Sequence, residues 1–359
     1  MGWSSIRRSQ PMCPGNSNVS CRFRAYLPTL SVEVVHMDTT ADRPDESLAE
    51  TVWDSVIVGG GAAGLSAGIV LARAQFATLI VDGGEPRNGP AAHMHGYLSR
   101  DGMPPKEFLA TGRDEFTRYG GTLTRAKVTD VRRAEDGVFE LRLDDRRALG
   151  ARSVLVATGL ADELPDVPGL AAGWASVVHH CPHCHGYEVR GRTIAVIGSS
   201  MAPQSAHLAA LMRRYSSSVT FCVNGAVVDT AERQRLTAYG VRLVETHVTR
   251  VTTTGDEAVV ELDDGETVPC EAIVAGTRPV PHDAILTALN AAKDPVSGLV
   301  SVDAAGATSV EGVWAAGNVV NPRAQVVMAA GAGCAAGIAM TGWLLDRELS
   351  EAAAKGDAT

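Results

Sequence analysis

Aromatic residues make up only 5% of this 359-residue chain, and 32 basic residues face 41 acidic ones, for a net charge of −9. A nucleic-acid surface needs clustered Lys and Arg, with rings for bases to stack on, so nucleic acid is not an expected partner. Seven cysteines, widely scattered, are too few for a disulfide scaffold. Read along the chain, no run reaches the roughly 18 uninterrupted apolar residues of a membrane span. The first residues lack the apolar core of a secretory signal. The expectation is therefore a cytoplasmic protein without a membrane partner. What is present, 45% hydrophobic and 20% charged residues, describes a globular chain with enough length for two domains.

Residues 1–50 differ from the rest. "MGWSSIRRSQPMCPGNSNVSCRFRAYLPTL" lacks hydrophobic periodicity, and "DTTADRPDESLAE" is polar and acidic. They are expected to add nothing to the fold, as a disordered tail or as sequence upstream of a start at Met37.

The most informative stretch is "WDSVIVGGGAAGLSAGIVLARAQFATLIVDGG". Val56–Val58 reads as a buried parallel strand, and Gly59, Gly61 and Gly64 give G-x-G-x-x-G. Leu65, Ile69, Val70 and Leu71 follow at helical spacing, and a second strand from Thr78 ends in Asp82. The first glycine permits the tight turn, and the second lets a pyrophosphate approach the backbone. The third allows close helix–strand packing, while the helix N-terminus supplies N–H groups and a positive dipole end. Asp82 stands where an acid accepts hydrogen bonds from a ribose. Gly60 and Ala63 complete the turn. This is a dinucleotide site, but the pattern alone does not separate FAD from NAD.

A second segment, "HHCPHCHGYE" at 179–188, brings Cys181 and Cys184 together with four histidines. By residue type it allows a zinc site, a structural disulfide or a redox dithiol. A third segment, "RTIAVIGSSMAPQSAHLAALMRRYSSSVTFCVNG", begins a further β–α–β unit. Its turn keeps only Gly198 of a glycine pattern. Met201 adds bulk where a pyrophosphate would lie, and "CVNGAVVDT" after the second strand has no basic residue. Cys222, Cys270 and Cys334 fall in strand or helix patterns and are expected to be buried thiols.

With "SVLVATGL" (Ser153–Leu160) and "GVWAAGNVVNPRAQVVMAAGAGCAAGIAM" (Gly312–Met340), the chain resembles the two-dinucleotide-domain flavoprotein disulfide reductases, with the layout of low-molecular-weight thioredoxin reductases. The resemblance runs from about Asp54 to Leu345. It implies an α/β fold with two Rossmann-like dinucleotide-binding domains, the FAD domain discontinuous and an NADPH-like domain inserted. The implied division is an FAD-binding part over 51–161, an NADPH-like domain carrying C-x-x-C over 162–276, a second FAD-binding part over 277–346 and a flexible tail over 347–359. FAD is the implied cofactor. Beyond the first turn, its implied contacts are Arg87, Asn88, His95, Val128, Ala157, Thr158, Gly159, Gly317, Asn318, Gln325 and Val326. Asn318 departs from the Asp usual at that position, but it can still donate and accept hydrogen bonds. A helix starting near Pro322 would aim its N-terminus at the flavin.

The same resemblance decides among the readings of the cysteine segment, because it places the redox-active pair of these proteins there. Cys184 is then the flavin-proximal thiol, Cys181 the interchange thiol and His185 the candidate general base. It also implies that the third segment is a nucleotide fold with its NADPH site lost. Two or three missing charge-assisted hydrogen bonds, at about 1.5–3 kcal/mol each, weaken binding by several powers of ten. "CPHCHGYE", "HMHGYLSRDGMPP" and this loss look like the dithiol oxidases that close disulfide rings in natural products such as gliotoxin, romidepsin and the dithiolopyrrolones, the holomycin type above all. Such enzymes take a small-molecule dithiol and O₂ as partners, and they are commonly homodimers. An NADPH-dependent reductase and a non-enzymatic redox sensor stand as the other expectations.

Overall fold

Val52–Val58 forms the first strand, β1, of a computed structural model that describes Leu48 and residues 51–356. The extension expected over 1–50 lies outside the described residues apart from Leu48, Cys13 and Cys21 with it. Six of the seven β1 residues are at least half-buried, as expected of a strand covered on both faces. Helix α1 (Ala62–Arg73) and strand β2 (Thr78–Asp82) follow, and β2 lies parallel to β1 with Val58 beside Val81. Helix α2 (Pro105–Arg118) leads to β3 (Thr122–Arg125), parallel to β2.

An antiparallel excursion of β4 (Val128–Arg133) and β5 (Phe139–Leu143) then returns through β6 (Ala148–Val156) to the other side of β1. Beyond β1, the long strand β6 serves two further partners on its other edge. Its first half pairs with β5, and its second half pairs in parallel with β17 (Val313–Ala315), a strand from near the end of the chain. The resulting seven-stranded sheet is doubly wound around the first nucleotide turn.

Two short strands carry the chain out of this sheet and back. They are β7 (Leu160–Glu163) and β16 (Arg278–Pro281), an antiparallel pair. Between them lies the inserted unit. Strands β8 (Val178–His179), β9 (Ile194–Ile197), β10 (Val219–Cys222), β11 (Arg242–Val244) and β15 (Ala272–Ala275) build a parallel sheet in the order β11-β10-β9-β15-β8. Helices α3 (Pro182–His185), α4 (Ser205–Met212) and α5 (Thr230–Ala238) accompany it. An antiparallel meander, β12 (Val248–Thr254), β13 (Glu257–Leu262) and β14 (Thr267–Cys270), packs its apolar face onto the sheet. After β16 comes the short α6 (Ala284–Ala288), and the chain closes with α7 (Val326–Gly356).

Three expectations need correction. The tail expected to be flexible is helical to Gly356, because its Ala, Glu and Lys residues favour helix. Arg152 also pins it through ion pairs to Glu348 (3.4 Å) and Glu351 (3.3 Å). Helix α7 starts at Val326 and not near Pro322, which lies in a turn. Finally, one apolar stretch is long enough to span a membrane, contrary to the reading of runs above. Val326–Lys355 contains an 18-residue window of mean hydropathy 1.5. In this fold it packs on α1 through small residues. A Cβ on Gly333 would come within 2.0 Å of the Ala63 carbonyl oxygen, and one on Gly337 within 2.9 Å of that of Ala67. Ala336, Met340 and Leu344 are fully buried beside them.

Candidate functional site

The first nucleotide turn is shaped by steric exclusion. Gly59 has φ +108°, and a Cβ there would lie 2.4 Å from the Ala157 carbonyl oxygen. A Cβ on Gly64 would lie 1.9 Å from the Gly59 oxygen, so only glycine lets α1 approach the strand this closely. Gly61 is different: a Cβ added there meets nothing within 4 Å. Gly61 is the N-cap of α1, no side chain caps that end, and its first turn has no acidic residue. Free N–H groups facing open space fit the pyrophosphate of a dinucleotide.

Asp82 lies beside this turn. Its Oδ1 accepts from the N–H groups of Gly60 and Gly84 (3.1 Å each), and its Oδ2 is 3.3 Å from Arg113 Nη2. Buried Ala63 contacts the Gly312–Met340 segment, since a Cβ on Gly317 would lie 3.0 Å from the Ala63 Cβ. Ala157 donates its N–H to Val58 (2.8 Å). Thr158 and Gly159 are tied to His282, the Thr158 hydroxyl donating to its carbonyl (2.7 Å) and its N–H donating to Gly159 (3.0 Å). The turn, Asp82, Ala157 and Gly317 thus converge. Val128 opens β4 and packs on the hydrophobic core, two residues after Ala126, whose N–H donates to the Asp82 carbonyl (3.3 Å), and the Asn88 carbonyl closes a local turn to Ala91.

Asn318 organises the approach to α7. Its amide donates to the carbonyls of Asn321 and Ala324, both at 3.0 Å, and lies 3.5 Å from that of Pro322. These bonds hold residues 321–324 in a turn and explain why the helix begins only at Val326. Gln325 caps it, its carbonyl accepting the Ala329 N–H at 2.9 Å. A carboxylate could not donate these bonds, so the departure from Asp has a local structural role.

The cysteine segment docks on this cap. Helix α3 is a single turn with Cys181 at its N-cap and Pro182 at its first position. Cys181 and Cys184 are bonded to each other, with Cα atoms 5.3 Å apart. The Gln325 amide lies 3.6 Å from Cys181 Sγ and 3.7 Å from Cys184 Sγ. The structure therefore brings Cys181, Cys184 and Gln325 together at the N-terminus of α7.

The surrounding histidines are distinct. His183 is exposed. His179 is buried and stacks on His185 with ring centroids 4.5 Å apart. The Nδ1 atoms of both are buried without a hydrogen-bond partner. Burial, then the neighbouring His185, His180 and Arg192, push His179 down to about 4. Burial also lowers His185; Glu188 opposes this and His95 adds to it. His95 bridges two acids, Asp101 and Glu188, at 3.4 Å each. His180 stacks on Trp174 (centroids 5.4 Å apart) and lies 3.9 Å from Asp162. Burial pushes Asp162 up, but the Arg87 hydrogen bonds and the charges of His180 and Arg87 outweigh it and hold it ionised.

Arg87, expected at the cofactor, sends its donors to Asp162 (2.7 and 2.8 Å) and to the Pro322 carbonyl (3.0 Å). Asp162, Glu188, Trp174 and Arg113 escaped the sequence reading. Of these, Glu188 had a local signal, three residues beyond His185.

The second nucleotide turn is filled by its own side chains. The Ser199 hydroxyl accepts the Met201 N–H (3.1 Å), and buried Ala202 packs so closely on Gly276 that a Cβ there would be 2.6 Å away. Helix α4 starts only at Ser205. After β10, Asn224 folds back, donating to the Gly198 carbonyl and accepting from the Val248 N–H, both at 3.1 Å. Arg213 is directed to the carbonyls of Ser216 and Tyr239. Burial raises Cys222 to about 11 and Cys270 to about 12, as inert thiols. Cys334, expected to be buried, is half-exposed.

Comparison with known proteins matches residues 53–333 to the pyridine nucleotide-disulphide oxidoreductase family. The crystal structure of HlmI is 42% identical, with a TM-score of 0.82, covering 86% of this chain and 97% of that one. An oxidoreductase from Agrobacterium tumefaciens is 33% identical, with a TM-score of 0.76 over 82% of this chain and 99% of that one. Thioredoxin reductase sirT of Leptosphaeria maculans is 29% identical, over 80% of this chain and 93% of its own length.

Proposed function

Starting from the chain's membership of the pyridine nucleotide-disulphide oxidoreductase family, with its thioredoxin-reductase-like fold, we propose that it is an FAD-dependent dithiol oxidase. Its substrate on this reading is a small-molecule dithiol, of the dithiolopyrrolone type that includes reduced holomycin. The observation that carries the reading is a disulfide held at the flavin cradle while the second nucleotide turn is closed by Ala202 and Asn224.

One substrate thiolate attacks Cys181 Sγ, forming a mixed disulfide and releasing Cys184 as thiolate. The second substrate thiolate then attacks the substrate sulfur in the mixed disulfide, closing the product ring and releasing Cys181. His185, neutral through burial, takes up a proton from the incoming thiol. FAD, when bound, would supply the two-electron acceptor for the reduced pair, with O₂ as the final oxidant and hydrogen peroxide as its product. Gly59–Gly64, Asp82, Ala157, Gly317 and Gln325 would hold the FAD. Met328, Ile338, Leu345 and Leu349 form an exposed apolar stripe on α7 that supports a homodimer.

The test is oxygen uptake by the FAD-loaded protein with a small dithiol and no NADPH. Stoichiometric peroxide and disulfide are expected. Uptake that begins only on adding NADPH would sink this reading in favour of a reductase, which the relative's printed name suggests.

A further inference from the structure

Arg87 stands in the loop between β2 and α2 and grips three segments at once. Nε and Nη2 donate to the two oxygens of Asp162, Nη1 donates to the Pro322 carbonyl, and Nη2 lies 3.5 Å from His180 Nε2. Each partner sits at a point that decides where the disulfide rests. Asp162 lies on β7, one of the two strands by which the chain enters and leaves the inserted unit. It also accepts from Thr277 (3.1 Å), one residue before the return strand β16. His180 immediately precedes Cys181. Pro322 belongs to the turn that ends in Gln325, the residue that meets both sulfurs.

The fork is matched to a carboxylate that is only 5% exposed, so its loss leaves a buried charge unpaired. The same loop reaches the far side of the sulfur pair, where His95 Nε2 lies 3.4 Å from Glu188, four residues beyond Cys184. The segment 179–188 is thus held from both ends by one loop of the flavin-side unit.

We propose that Arg87 is a positioning residue that clamps the Cys181–Cys184 segment against the loop leading into α7. It acts on electron transfer from the reduced pair and not on cofactor retention or on reaction with O₂. This rests on the dithiol-oxidase reading for its kinetic consequence, but the clamp itself is a property of the fold.

The test uses the full, FAD-loaded chain with Arg87→Met, Arg87→Lys and the double variant Arg87→Met/Asp162→Asn, which removes both charges and leaves no unpaired carboxylate. Anaerobic mixing with dithiothreitol measures loss of flavin absorbance, and chemically reduced protein mixed with O₂ measures its return. In Arg87→Met and the double variant the first rate should fall about 10- to 100-fold, the scale of a small misplacement of reacting groups. Arg87→Lys should recover only part of this. The O₂ step and the FAD:protein ratio should stay at wild-type values, and amide exchange over 179–188 should accelerate. An unchanged first rate overturns the proposal, as does FAD loss in parallel with rate loss, which would make Arg87 a cofactor ligand. If dithiothreitol fails to bleach the wild type, the oxidase reading falls instead. Exchange over 179–188 then judges the clamp alone, and wild-type exchange in the variants overturns it.

Discussion

His179 and His185 stack face to face beside the sulfur pair, 4.5 Å between ring centroids, and neither Nδ1 has a partner. Two imidazoles in one poorly solvated pocket oppose each other's protonation, and burial alone already disfavours the charge. For His185, burial and the nearby His95 outweigh Glu188 and favour the neutral form that a base requires.

His185→Gln should slow dithiol oxidation by about 10²- to 10⁴-fold, the usual contribution of a general base. Because the His185 pKa is lowered from the ordinary imidazole value, the wild-type rate should hold through pH 6.5 and decline only below it. The variant should lose that acid limb. A limb that persists in His185→Gln would assign the proton to another group.

For His179 the consequence is stability. The unfolded chain takes up this proton near pH 6.5, the folded one only near 4, so acid favours unfolding. The contribution is fully present above 6.5 and is lost progressively down to 4, a total of about 3 kcal/mol. His179→Phe keeps a ring in the stack without titrating. Urea unfolding at pH 7 and pH 4.5 should show a smaller loss in the variant, and equal losses would contradict the assignment.

Gly61 and Gly64 should separate cofactor space from packing space. Gly61→Ala adds a methyl where nothing lies within 4 Å. Apo stability should move by less than about 1 kcal/mol, while FAD affinity falls about tenfold or more as the methyl meets the pyrophosphate. Gly64→Ala places a Cβ 1.9 Å from a backbone oxygen and should cost about 3 kcal/mol in the apoprotein. Thermal melts and FAD titration of both variants check the contrast.

Asn318→Asp exchanges an amide donor for a carboxylate facing carbonyl oxygens. Losing the bonds to Asn321 and Ala324 should cost about 2–3 kcal/mol and loosen the turn before α7. FAD retention through gel filtration should fall together with the melting temperature. Retention equal to wild type would show that the turn holds without this amide.

Cys181→Ser and Cys184→Ser should each abolish dithiol turnover while FAD stays bound, since neither sulfur belongs to the nucleotide turn. Turnover by either variant contradicts exchange through this pair.

The α/β architecture was legible because its signals are local. Gly59, Gly61 and Gly64 sit between a strand and a helix that both announce themselves within a few residues. The sulfur pair was equally visible in four consecutive positions. What stayed hidden depends on distant partners. Arg87 meets Asp162 75 residues away and Pro322 235 residues away, and nothing near Arg87 marks it as a partner of a buried carboxylate. The His179–His185 stack needs β8 and α3 to fold against each other. Pro322 misled for a physical reason: proline suits a first helical turn, but the Asn318 amide captures its neighbours' carbonyls and delays the helix to Val326.

Strand β17 completes its sheet by lying along β6, Val313 beside Val154, with the whole inserted unit synthesised between them. During translation the Val154–Val156 half of the β6 edge, beyond its pairing with β5, stays open until the last strand emerges. The inserted parallel sheet, by contrast, draws all five strands from one continuous stretch and closes shorter loops. The middle of this polypeptide can thus mature before its flanks. In that interval the bare β6 edge is the point most open to pairing with another nascent chain.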